Sequence, residues 1–145
     1  MFALEFRGRA GPAPGSPGER RARTSAPSQS LWTVLGAGGV ESRVEPVAGE
    51  HAVLESHVER LDDGSFVEDG TIRYGPSGAL SFVTVGKGNV GPSPVPGCQH
   101  GAVVWTVTSG EGWLAGARGL ITSNFTVSAD GRVVDNHVAR LYLPS

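Results

Sequence analysis

Asp135 and His137 stand two residues apart in the stretch Arg132 to Leu143. Residues two apart in an extended strand point to the same side. Asp135 and His137 therefore share a face with Val133, Ala139, Leu141 and Leu143, while Arg132, Asn136 and Arg140 take the other. Glu68 has the same relation to Phe66, Ile72 and Tyr74. Desolvation against apolar neighbours raises the pKa of a carboxyl group, and an imidazole paired with a carboxylate is a usable general acid or base. Glu68, Asp135 and His137 are thus candidate catalytic residues for protonating or enolising a substrate without a cofactor. The plainer alternative puts them at strand ends, solvated or bonded to loops, where polar residues are common.

Other patterns carry less. Gly86-Lys87-Gly88-Asn89-Val90-Gly91 matches a dinucleotide-binding fingerprint, but Pro92, Pro94 and Pro96 follow, so no helix can present its N-terminus to a pyrophosphate. Cys98 and His100 could put two metal ligands on one side of a strand, yet structural zinc takes four and there is no second pair. Asn124-Phe125-Thr126 is a glycosylation sequon, which matters only in a secreted chain. His51, Glu55, His57 and Glu59 form a polar stripe opposite Ala52, Leu54 and Val58, most simply the wet outside of a sheet. No metal and no cofactor is expected.

The elements that must position these groups are short strands. Phe2, Leu4 and Phe6 alternate with polar or small residues. Gly8 to Ser30 is rich in Gly, Pro, Ala, Ser and Arg and has no large apolar residue, so it is expected to be a loop or arm that cannot offset its own ordering entropy. Strands are then expected at 31–35, 42–47, 50–60, 66–74, 79–85, 102–108, 113–115, 120–128 and 132–143, with turns at Asp62-Asp63-Gly64, Gly75-Pro76-Ser77-Gly78 and Ala129-Asp130-Gly131. No window holds a helical apolar period without a glycine inside it. The fold class that follows is all-β, a single closed antiparallel β-barrel of about eight strands over residues 1–145, because closure removes exposed edges. A barrel of that size holds packed side chains or one small ligand. Trp32, Phe66, Tyr74, Phe82, Trp105, Trp113 and Phe125 are the aromatic candidates for lining such a lumen or filling it.

Composition narrows the function. A formal charge of −2 offers no basic footprint for nucleic acid. The single cysteine excludes an internal disulfide and fits a reducing cytoplasm. Glu5 and Arg7 interrupt the apolar run a signal peptide needs, and no apolar stretch approaches membrane-spanning length. The expectation is a cytoplasmic protein without a nucleic-acid or membrane partner, with a homo-oligomer (dimer or trimer) left open.

The second half of the chain adds a resemblance. Ala79-Leu80-Ser81-Phe82, Val103-Val104-Trp105-Thr106-Val107, Gly110-Glu111-Gly112-Trp113-Leu114-Ala115-Gly116-Ala117-Arg118-Gly119 and Ala139-Arg140-Leu141-Tyr142-Leu143 resemble the late strands of the allene oxide cyclase/dirigent-like β-barrel superfamily. The likeness extends to its small bacterial members, including spirotetronate-type barrel cyclases, and covers slightly under half of the chain. It implies a calycin-like barrel whose lumen folds an apolar, polyketide- or terpenoid-like substrate for ring closure in secondary metabolism. It carries over no catalytic residue. The function expected is a cofactor-independent cyclase or isomerase; the alternative is a non-catalytic carrier barrel.

Overall fold

Along most of the chain every second side chain is buried: Leu4 and Phe6, then Ala52, Leu54 and Ser56, then Val103, Trp105 and Val107, then Val133, Asp135, His137 and Ala139. That alternation belongs to sheet with one dry face. A computed structural model of the protein describes residues 1–16 and 18–144, without the side chains of Phe2 and of residues 28–34 and 42–50. It contains β1 (Phe2–Pro12), β2 (Glu19–Gly36), β3 (Gly39–Arg60), β4 (Phe66–Tyr74), β5 (Gly78–Thr84), β6 (Asn89–Pro92), β7 (Cys98–Gly112), β8 (Arg118–Ser128) and β9 (Arg132–Tyr142). The described residues include no α-helix, only a 3₁₀ turn at Gly75–Ser77.

Every strand pairing is antiparallel, β1 to β5 and β6 to β9 each pair in sequence order, and the β1–β9 and β5–β7 pairings finish the circle. β1 joins β9, with Phe2 opposite Ala139 and Arg9 opposite Arg132. β5 and the short β6 lie end to end along the same edge of β7, each covering part of it. The result is a closed antiparallel barrel of eight staves, β5 and β6 sharing one. Closure pairs the edges that an open sheet would expose.

Residues 8–30, expected to be a loop or arm, are instead divided between β1 and β2, with a short reversal between them. The stretch lacks large apolar residues because most of its inward positions are small and arginine recurs on its outward ones. Ala10, Ala22, Thr24 and Ala26 face in; Arg7, Arg9, Arg21 and Arg23 face out, Arg23 bonded to Glu55 at 2.9 Å. Gly8 is required where β1 and β2 nearly touch: a Cβ there would collide with the Arg23 carbonyl oxygen. A further correction concerns 113–115, which form the β7–β8 turn and not a strand.

Past Ala26 and Ala52 the β2–β3 pair leaves the barrel. Gln29 to Gly36 pairs only with Gly39 to Pro46, beyond a register shift at Pro27/Gln29. This ribbon projects from the same end as the turns 75–77 and 113–117. The opposite end carries the reversals at 13–18, 61–65, 93–97 and 129–131.

Candidate functional site

The two ends of the lumen are filled differently. Toward the ribbon, Leu4, Phe6, Ile72, Leu80, Phe82, Trp105 and Ile121 are all buried and pack as one cluster. Phe82 stacks on Trp105 with centroids 4.2 Å apart. Toward the other end β1 and β2 contribute the small Ala10, Ala22 and Thr24, with Arg20 at the mouth, and the space the small side chains leave is a cavity of about 360 Å³. Its apolar wall includes Leu54, Val58, Phe66, Val90, Phe125 and Val133, with Phe66 and Phe125 edge to face at 5.8 Å. Small-ligand pockets typically run from roughly 300 to 1,000 Å³ with mostly apolar walls, so this one suits a compact molecule.

Polar side chains meet between the packed half and the open half. β9 brings in Asp135 and His137, β4 Glu68, β3 Ser56 and β8 Ser123, all buried. Asp135 accepts hydrogen bonds at both carboxylate oxygens, from the Ser123 hydroxyl at 2.7 Å and from His137 Nε2 at 2.8 Å. The imidazole is clamped between rings, 4.3 Å from Phe6 and edge-on to Trp105 at 5.0 Å. Its Nδ1 is buried with no hydrogen-bond partner among the described residues.

Glu68 is fixed through its backbone. The Thr84 hydroxyl accepts from the Glu68 N–H at 2.7 Å and donates to the Glu68 carbonyl at 2.8 Å, standing in for ladder bonds where β5 departs from β4. The carboxyl group points into the lumen, where burial pushes its pKa up to about 8. The negative charge of Asp135 pushes in the same direction. The Ser56 hydroxyl and the Trp105 indole N–H oppose this rise, although among the described residues neither closes a full hydrogen bond. Net, Glu68 is a neutral acid at pH 7.

Among the residues expected from sequence, Glu68, Asp135, Phe66 and Phe125 line the open cavity. His137 lies beneath it, reaching the cavity only through Asp135. Tyr74, Phe82 and Trp105 are placed in the packed half, where they fill the lumen instead of lining the cavity. Trp113 is a correction: it is 88% exposed on the β7–β8 turn and belongs to no lumen. The side chain of Trp32 lies outside the described residues. The stripe His51, Glu55, His57 and Glu59 is on the outside, with His57 bridging Glu19 at 3.0 Å and Asp69 at 3.4 Å.

Sequence reasoning missed Ser56, Ser123 and Thr24, and also Arg20 and Arg60 at the cavity mouth. Their signal was parity: Ser56 shares a strand face with Leu54 and Val58, and Ser123 falls between Ile121 and Phe125. Cys98 lines the mouth while His100 is exposed, and among the described residues no three His, Cys, Asp or Glu side chains are placed to hold a metal. Nor is any helix among them long and apolar enough to cross a membrane. Compared with protein-family models, curated proteins and solved structures, the chain matches none.

Proposed function

We propose that the barrel is a cofactor-independent acid–base catalyst, an isomerase or cyclase, for a compact apolar molecule of polyketide or terpenoid type. One observation carries the reading: a neutral carboxyl group, Glu68, and a hydrogen-bonded carboxylate, Asp135, line the same apolar cavity. A carboxyl group that burial keeps protonated, beside a hydrogen-bonded carboxylate, supplies an acid and a base together.

In this scheme Glu68 gives its proton to a carbonyl oxygen of the ligand as Asp135 takes one from the adjacent carbon. The enol then returns its O–H proton to Glu68 while its carbon either takes back the proton held by Asp135 or attacks a tethered carbonyl, whose π bond opens and whose oxygen takes that Asp135 proton. Protons and electrons balance within the pair and the ligand, and no redox step occurs. Ser123 and His137 hold Asp135 at the angle the transfer requires. Apolar walls exclude water, which strengthens each charge–dipole interaction in the site. A positioned acid or base contributes typically about 10²- to 10⁴-fold in rate.

Deuterium uptake tests the scheme. Apolar cyclic ketones incubated with the protein in D₂O are expected to gain deuterium at the α-carbon. Glu68→Gln and Asp135→Asn should each slow that uptake by about 10²-fold or more while leaving thermal unfolding cooperative. His137→Ala should slow it less, since His137 acts through Asp135. Uptake that survives all three substitutions refutes the scheme. Tight ketone binding with no exchange in the unsubstituted protein favours a carrier, the reading to which the apolar wall alone would lead.

A further inference from the structure

The cavity mouth carries charge that the acid–base scheme does not use. Arg20 on β2 and Arg60 on β3 both line it. Both occupy inward-facing register, Arg20 two residues before Ala22 and four before Thr24, Arg60 two after Val58. Some outward arginines meet carboxylates: Arg7 with Glu5, Arg23 with Glu55, Arg132 with Asp130. Neither mouth arginine has such a partner among the described residues. Among the described residues each guanidinium makes one long contact, Arg20 to the Ala10 carbonyl oxygen at 3.5 Å and Arg60 to Gln99 Oε1 at 3.4 Å. The carboxyl groups that line the cavity, Glu68 and Asp135, sit at its floor. The mouth is therefore cationic, the wall apolar and the floor a proton-transfer pair.

We infer that the ligand is an amphipathic anion, entering apolar end first and leaving a terminal carboxylate or similar oxyanion at the mouth against Arg20 and Arg60. Guanidinium groups suit this task because they present several donors in a fixed plane to an oxyanion. Holding the charged end at the rim also fixes which carbon reaches Glu68, so the arginines set register as well as affinity. The inference rests on the cavity being the ligand site, and the test separates failure of the two.

Two fluorophores with one skeleton provide it: neutral N-phenyl-1-naphthylamine and anionic 1-anilinonaphthalene-8-sulfonate. The unsubstituted protein should bind both, the anion about tenfold or more tightly at low salt, and that margin should shrink as salt screens the mouth. Arg20→Gln with Arg60→Gln should erase the margin and leave the neutral probe within about twofold. Arg60→Lys should keep part of it. Arg118→Gln, at the packed end, should change neither. Equal binding of the two probes, or a margin that survives the double substitution, overturns the anionic assignment and leaves the cavity standing. Failure of both probes to bind the unsubstituted protein overturns the cavity reading and the rim with it. If the double variant no longer unfolds cooperatively, Arg60→Gln alone is read against Arg60→Lys, and equal margins overturn the assignment.

Discussion

At the scale of single residues, Glu68 dominates the pH behaviour of the molecule. Its pKa rises from the ordinary 4.5 to about 8 on folding, with burial as the main cause. An acid whose pKa is raised this way costs nothing below its unfolded value, where both states hold the proton. Above it the unfolded chain ionises first, so stability falls as pH climbs and the penalty is complete above the folded value. Every tenfold difference in proton affinity between the two states is worth about 1.4 kcal/mol, which makes the loss several kcal/mol in all. Melting temperature should therefore drop steadily from pH 5 to about 8.5, and Glu68→Gln should flatten that part of the curve. A wild-type curve that is already flat there would mean the carboxyl group is not buried as described. His57 works in the same direction, since bonding to Glu19 and then Asp69 raises its pKa and that contribution is lost as pH rises. Its pairs are exposed and contribute little.

Among the elements, β1 and β2 decide the shape of the lumen. Their small inward residues create the open half, and Gly8 lets their backbones approach. Gly8→Ala should cost about 1 to 3 kcal/mol in urea unfolding, since the neighbour it meets is backbone and cannot rotate away. An unchanged midpoint would show that β1 and β2 can separate there. These two strands are also where sequence reading failed. The period-2 signal of β4 and β9 was plain because large apolar residues marked one face. Between 8 and 30 the same period is written in Ala and Thr against Arg, and composition alone resembles a connector. The pair Asp135 and His137 was legible because both interrupt an otherwise apolar face. Trp113 was misread because an aromatic residue in a glycine-rich turn looks, in sequence, like one in a strand. Distance between strands was never legible, so nothing identified Ser123 as the partner of Asp135 or Thr84 as the support of Glu68.

For the molecule as a whole, the barrel and the ribbon are separable in their pairing. Residues beyond Ala26 and Ala52 add no rung to β1 or β4, and the cavity lies at the far end. Replacing residues 28–50 by a tight Asn-Gly turn should preserve cooperative unfolding and probe binding. Loss of both would make the ribbon an integral part of the barrel. The packed half explains how the open half is tolerated: Phe6, Phe82 and Trp105 are fully buried on the far side of the polar layer. The lumen thus divides into a part that stabilises and a part that receives a ligand.

The most direct test is the protonation state of Glu68 itself. The side-chain carboxyl of Glu68 can be followed by ¹³C NMR from pH 4 to 10, with Glu68→Gln identifying its signal. The expected midpoint is about 8, moving higher when N-phenyl-1-naphthylamine fills the cavity and removes the last water from the acid. A midpoint near the ordinary glutamate value of 4.5, unmoved by the probe, would contradict the neutral acid at the cavity floor on which the proposed chemistry depends.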